Sequence, residues 1–189
     1  MTPAPRTTTV TDADLAARAV RGDADAFGEL IERYAPIARR LARAALGNHD
    51  DGDDAAQDGF LAAWQNIDKY DVSRPFGPWL LRIVVNRARD LGRRRKVRQT
   101  DELPTDRAAE LASPERETDR ALLRKQLAEA LDRLPERQRV AITLFDAEGY
   151  PHAEIAKMLD VPEGTVRSDV FHARRALRQA LGQWQGGTA

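Results

Sequence analysis

Apolar residues at Phe27, Leu30, Ile31, Tyr34, Ala38, Leu41 and Ala45 recur every three to four positions, a spacing that places them on one face of an α-helix turned to a core. Pro36 falls inside this run and is expected to kink or split the helix, because proline lacks the N–H that the i−4 carbonyl needs. Gly47 and Asn48 close the element. The acidic stretch from Asp50 to Asp54 then supplies capping oxygens and negative charge suited to a helix N-terminus, and Phe60, Trp64 and Ile67 follow at helical spacing. DKYDVSRP reads as a loop from its Asp, Ser and Pro content. In the next run, FGPWLLRIVVNRARDLGRRRK, one stripe holds Trp79, Leu80, Ile83, Val84, Ala88 and Leu91, and the opposite stripe holds Arg82, Asn86, Arg89 and Arg93.

From Val97 to Thr118 the periodicity fades, with Pro104, Pro114 and no aromatic residue, so this stretch is a linker by composition. Helical spacing resumes at Leu123, Leu127, Leu131 and Leu134, stops at Pro135, and resumes at Val140, Leu144 and Phe145 up to Gly149. Two segments follow, HAEIAKML and PEGTVRSDVFHARRALRQAL, separated by DV. No stretch alternates as a β-strand would. The pattern predicts an all-α chain of two small helical domains joined by a flexible acidic linker. The expected boundaries are a disordered N-terminus over 1–11, a first domain over 12–96, the linker over 97–118, a second domain over 119–182 and a tail over 183–189.

Charge sharpens this picture. The 189 residues balance 30 basic against 30 acidic side chains, but the two signs are segregated. Residues 48–75 hold seven acids and two basic groups, residues 76–100 hold eight basic groups and one acid, and residues 101–119 return to seven acids and two basic groups. Such a chain is suited to partners of opposite sign. The sequence contains no cysteine, which removes disulfides and thiolate metal sites, and His49, His152 and His172 are too far apart for a local ligand set. No metal or other cofactor is expected. The N-terminus MTPAPRTTTV lacks a signal-peptide core, and no run approaches the ~18 apolar residues of a membrane span. A soluble cytoplasmic protein is expected.

In the last segment Val166, Val170, Ala173, Leu177 and Leu181 line one face. Arg167, Ser168, Phe171, Arg174, Arg175 and Arg178 lie on the remainder, and a short helix with Ile155 and Leu159 precedes them across a tight turn. This is the layout of a helix-turn-helix, whose second helix enters the major groove. Guanidinium groups on its leading turns can reach guanine O6 and N7, while those further along meet phosphates. A plain basic surface helix would share the same composition.

Together with the N-terminal half, these residues resemble the extracytoplasmic-function family of bacterial sigma factors, over about residues 23–182. The resemblance rests on DDAAQDGFLAAW at 53–64, FGPWLLRIVVNRARDLGRRR at 76–95 and LPERQRVAITLFDAEGYPHAEIAKMLDVPEGTVRSDVFHARRALRQAL at 134–181. It implies a non-enzymatic specificity subunit that binds core RNA polymerase, through the β′ coiled coil and the β flap. That subunit reads the −35 and −10 promoter elements and melts the latter. In this reading Asp53, Asp54, Gln57 and Asp58 contact the basic coiled coil, with Phe60 and Trp64 mainly core, which explains why a DNA-binding chain carries a surface that DNA repels.

The resemblance assigns residues 68–98 to the −10 element. Arg82, Arg87, Arg89, Arg93, Arg94, Arg95, Lys96 and Arg98 supply charge, Asn86 bonds a base or the backbone, and the loop from Asp68 to Pro75 forms a pocket for an everted base. Tyr70 is the stacking candidate, because Trp79 lies on the apolar stripe. The −35 element is assigned to Arg167, Ser168, Phe171, His172, Arg174 and Arg175. Two departures from the family pattern stand out. Asp169 occupies a position where a basic residue is common, so it is expected to weaken a phosphate contact or favour cytosine. Asp160 replaces a frequent turn glycine and is expected to preserve the turn, since Asp tolerates the left-handed conformation. The linker either threads the RNA-exit path or serves as a solvated spacer. A cognate anti-sigma factor is an expected partner. The alternative is a conventional helix-turn-helix regulator that binds duplex DNA without polymerase.

Overall fold

The computed structural model describes residues 10–47, 51–101 and 119–182, with the backbone alone for 96–101 and 119–120. The expected tails and most of the expected linker lie outside these residues. Eight α-helices form among them: α1 (Asp12–Val20), α2 (Ala24–Leu46), α3 (Gly52–Gln65), α4 (Phe76–Asp101), α5 (Asp119–Asp132), α6 (Glu136–Ile142), α7 (His152–Leu159) and α8 (Glu163–Gly182). Helices α1–α4 make the first helical domain and α5–α8 the second.

The starts of α1 and α2 are built by side chains. Thr11 Oγ1 accepts from the Asp14 N–H at 3.2 Å, while Asp14 accepts from the Thr11 N–H at 3.3 Å, so each satisfies an otherwise orphaned donor. These bonds, the Thr11 hydroxyl foremost, hold the Asp14 carboxyl below the usual carboxylate range. At α2, Asp23 accepts from the Ala26 N–H at 3.0 Å and from Arg18 at 2.9 Å, which lowers its pKa in the same way.

Pro36 lies within one continuous helix, so the expected split does not occur. The lost backbone bond is outweighed because Leu30 and Leu41, on either side of the proline, are fully buried in one core. Gly47 ends α2 in the left-handed region at φ 68°, and a Cβ there would stand 2.9 Å from Arg139 Nη2. Glycine thus serves both the turn and the approach of that guanidinium.

Helices α2, α3 and α4 pack around Leu30, Leu41, Leu80, Leu81, Val84 and Val85. Gly59 lets α3 press against α4, since a Cβ there would lie 2.8 Å from Val84 Cγ2 and 3.0 Å from Val84 Cα. An aromatic cluster of Phe27, Tyr34, Trp64, Tyr70, Phe76 and Trp79 closes the end of the bundle where α4 begins. Burial, reinforced by a 2.6 Å hydrogen bond from its hydroxyl to Asp12, pushes the Tyr34 phenol far up.

In the second domain Val140, Leu144, Ile155, Leu159, Val166 and Val170 are buried. The turn between α7 and α8 survives with Asp160 in the left-handed conformation, φ 56° and ψ 50°, and the Val161 N–H bonds to the Ala156 carbonyl at 3.1 Å. Between α6 and α7, Thr143–Ala147 forms a π-helical turn, and the Thr143 hydroxyl donates to the Arg139 carbonyl at 2.8 Å. Of the leucine stripe expected along α5, Leu134 is buried but Leu123 and Leu127 are exposed. The apolar cores of the two domains are continuous, because α6 packs on α2 and α7 on α4.

Arg139 sits at this junction, 7% exposed. Its guanidinium donates to the Ala44 carbonyl near the end of α2, and to the carbonyls of Asp132, Leu134 and Leu131 at 3.1, 3.3 and 3.4 Å. The ends of two helices, both carrying partial negative charge, thus converge on one cation. Burial lowers its pKa, but a guanidinium remains protonated.

Candidate functional site

Helix α3 presents Asp54, Gln57, Asp58 and Leu61 to solvent, at the i, i+3, i+4 and i+7 spacing of a single stripe. Asp53, expected to join them, is turned toward α2. Both of its carboxylate oxygens lie 3.0 Å from Arg43 Nη2, and Arg39 lies 4.0 Å away. Asp51, at the N-cap position, is 8% exposed, and its carboxylate pairs with Arg95 of α4, so it serves as a tie between helices.

The outward stripe is flanked by two grooves. One is apolar, lined by Ala24, Phe27, Phe60, Leu61 and Trp64; the other lies against Asp54, Asp58, Leu91 and Arg95. Leu61, 55% exposed, is the member of this face that sequence reasoning missed. Its position seven residues after Asp54 is the signal that could have found it.

The basic face of α4 divides into free and engaged members. Asn86, Arg87, Arg93 and Arg94 are exposed, Arg93 beside Asp90. Arg89 is half-buried and bonds Glu136 of α6 at 2.6 Å, while Arg82 stands 3.7 Å from Asp160. Tyr70 must be corrected as a base-stacking candidate. It is 6% exposed, its hydroxyl bonds the Arg74 carbonyl, and its ring packs against Phe76 and Trp79 at centroid distances of 5.5 and 5.0 Å.

Trp79 is instead half-buried and lines a cavity of about 520 Å³ together with Arg74, Pro75, Arg82, Lys157 and Met158. The neighbouring turn is ordered by Asp71, which accepts from the Ser73 hydroxyl at 2.6 Å and the Ser73 N–H at 3.0 Å and pairs with Arg74 at 3.1 Å. These bonds hold the Asp71 carboxyl below its ordinary range, the Ser73 hydroxyl contributing most. Val72 at the tip is 51% exposed.

On α8, Arg167, Ser168, Phe171, His172, Arg174 and Arg175 all face outward. Phe171 is 62% exposed, and the His172 ring meets it edge-on at 5.5 Å. Arg167 pairs with Glu163 on its own helix at 2.6 Å. Arg174 is held to one side by a fork onto Asp146, with Nε at 3.0 Å, and its guanidinium lies 5.0 Å from the centre of the Phe145 ring, which stacks on His152. The hydrogen bond to Asp146 raises the Arg174 pKa.

Asp169 also requires correction. It is 4% exposed and accepts from Arg137 Nε at 2.5 Å and Nη2 at 3.3 Å, so it points into the domain and can neither weaken a phosphate contact nor select cytosine.

Among the described residues no cluster of three or more His, Asp or Glu side chains is arranged to hold a metal ion, and no helix is long and apolar enough to cross a membrane. What the molecule does present is a helical protein with an acidic and apolar face on one helix and basic faces on two others.

Comparison with known proteins identifies this arrangement. Residues 30–98 match the family model Sigma-70 region 2, and residues 124–177 match Sigma-70, region 4. The chain is 39% identical over 181 residues to the ECF RNA polymerase sigma factor SigM of Mycobacterium tuberculosis, covering 93% of this chain and 87% of SigM. It superposes on CnrH, solved with the cytosolic domain of CnrY, with a TM-score of 0.68 and 31% identity over 91% of this chain and 97% of CnrH. It also superposes on RpoE of Bartonella quintana, solved with the anti-sigma factor NepR, with a TM-score of 0.68 and 26% identity over 82% of this chain and 96% of RpoE. The chain belongs to the extracytoplasmic-function (ECF) RNA polymerase sigma factors. It is a promoter-specific initiation factor that works bound to core RNA polymerase.

Proposed function

We propose that this sigma factor assigns its partners to separate faces, and that the outward stripe of α3 carries the polymerase contact. Asp54, Gln57 and Asp58 meet the basic coiled coil of the β′ subunit, with Leu61 seated among them, and Asp53 supports them through Arg43. The single observation that carries this reading is that stripe: two carboxylates and an exposed leucine beside an apolar groove, complementary to a basic amphipathic helix and repellent to DNA.

The −10 strand is met by α4, through Asn86, Arg87, Arg89, Arg93 and Arg94, with an everted base entering beside Trp79 rather than Tyr70. The −35 duplex is read by Arg167, Ser168, Phe171, His172 and Arg175, Phe171 being suited to a thymine methyl group. Arg174, tied to Asp146, positions the helix end and meets the phosphate backbone only by giving up that pair. The boundaries of the two DNA-binding units are about 12–101 and 119–182, α4 carrying the first past residue 96. The second unit also meets the β flap.

The protein performs no chemistry of its own in this reading; the polymerase does, in the cytoplasm. By similarity to CnrH and RpoE, each solved with a protein partner, an anti-sigma protein is a further partner of this chain.

The test is Asp54→Arg. Binding to core polymerase is expected to weaken about tenfold, or ~1.4 kcal/mol, with the circular-dichroism melting curve unchanged. Unchanged polymerase binding would remove the α3 stripe from the interface.

A further inference from the structure

We infer that Asp146 sets the strength of DNA binding by the second domain, withholding Arg174 from the phosphate backbone; this rests on the −35 reading of α8. Among the described residues, Arg167 pairs within its own helix and Arg175 and Arg178 are exposed without an ion pair, whereas Arg174 is held by a different element.

Asp146 lies in the π-helical turn that follows α6. Its carboxylate takes Arg174 Nε at 3.0 Å and Nη2 together, while the Phe145 ring faces the same guanidinium at 5.0 Å. Consecutive side chains of an α-helix point about 100° apart. In this π turn two neighbours meet one cation, Asp146 along its edge and Phe145 across its face. Both sides of the contact are fixed. Leu144, beside them in the turn, is fully buried, and its carbonyl accepts from the Tyr150 N–H at 3.0 Å. The His152 ring clamps Phe145 from a stacking distance of 4.2 Å. On α8, Val170 and Ala173 are buried, so the fork orders little beyond the arginine stem.

The pairing has two consequences for DNA. Asp146 holds the Nε–Nη2 edge, one of the two edges through which a guanidinium forks onto a phosphate. The pair is also neutral as a whole, so it adds no net attraction for phosphate and releases no counterion. Yet Arg174 and Asp146 keep 49% and 38% of their side-chain surface exposed, and an ion pair so open to water is weak enough to exchange a carboxylate for a phosphate. Such a pair tunes affinity without abolishing it. Because phosphate contacts carry no base identity, the setting acts on every −35 sequence alike.

The experiment uses the full chain and a short fluorescein-labelled duplex of mixed sequence, with binding followed by anisotropy across a salt series. Asp146→Asn keeps the shape of the side chain and removes its charge. It is measured alone and with Arg174→Ala, and Arg174→Ala alone completes a double-mutant cycle. Both side chains are exposed, so every chain in the cycle is expected to fold.

Asp146→Asn is expected to bind about three- to fivefold more tightly, the factor that a half-exposed ion pair can withhold. The slope of log affinity against log salt is expected to steepen by about 0.9, the mark of one added phosphate contact. Arg174→Ala alone is expected to change affinity by less than about twofold, since the arginine is already withheld. Added to Asp146→Asn, it is expected to remove the whole gain.

A gain that survives Arg174→Ala would overturn the inference, because the carboxylate would then act on DNA by simple repulsion. So would unchanged or weaker binding by Asp146→Asn, the weaker case making Asp146 a support that aims Arg174 at a phosphate. A large loss on Arg174→Ala alone would overturn it too, since Arg174 would then reach DNA with the pair intact. If alanine at both Arg167 and Arg175 leaves the wild-type affinity unchanged, the premise fails instead, because α8 is then not the helix on DNA.

Discussion

Single residues decide which charges are available to partners, and burial decides it more than sequence does. Asp169 lies in the middle of α8, the helix proposed to read the −35 element, yet its carboxylate is committed to Arg137 on another helix. Part of this was legible: Asp169 lies three residues after Val166 and four before Ala173, on the apolar face. Its partner, 32 residues away, was not. Asp169→Ala is expected to destabilise the second domain by about 1–2 kcal/mol, through the lost charge-assisted bond, and to leave −35 base preference unchanged. Urea denaturation and a panel of single-base promoter variants check both, and a changed preference would return Asp169 to the DNA. Tyr70 and Trp79 teach the same lesson in reverse. Loop position suggested an available Tyr70 and helical spacing a buried Trp79, but the loop folds back so that the tyrosine hydroxyl meets Arg74.

At the scale of elements, the helices with strong apolar periodicity, α2, α4 and α8, were legible from spacing. Helix α1 was not, because its buried positions are one leucine and two alanines, too small a hydrophobic contrast to stand out. Its signal is the capping pair Thr11 and Asp14. The caps also set an acid limit. Asp14 and Asp23 titrate below their ordinary value of 3.8 in the folded chain. A depressed folded pKa contributes stability that is fully present above the unfolded pKa, near pH 4, and is lost as pH falls through the folded value. Asp23→Ala is therefore expected to lower the melting temperature at pH 7 and to narrow the gap from wild type as pH drops below about 4. A gap independent of pH would show that the carboxylate charge contributes nothing.

The close approach of α3 and α4 was not legible either, since Gly59 reads as an ordinary weak helix former until Val84 is seen against it. Gly59→Ala is expected to destabilise the first domain by about 1–3 kcal/mol, because the clash includes backbone that cannot step aside. An unchanged urea midpoint would mean that the two helices can part without cost.

For the whole molecule, segregated charge was the most informative property of the sequence. Zero net charge hides an acidic stripe on α3 and basic faces on α4 and α8, and the need for two partners of opposite sign follows from it. Composition could not reveal that the two domains share a continuous core, or that Arg139 joins them, because such contacts depend on tertiary placement across residues far apart in the chain. The same segregation lets the domains engage each other: acids of the second, Glu136 and Asp160, find arginines of the first.

This chain gives RNA polymerase its promoter choice. The most direct measurement is transcription in vitro from fragmented genomic DNA by core polymerase of the same organism, with and without the protein, mapping the 5′ ends of the new RNA. Start sites are expected that appear only with the protein and share two spaced upstream elements. No new start sites, with binding to the core enzyme confirmed in the same preparation, would contradict it.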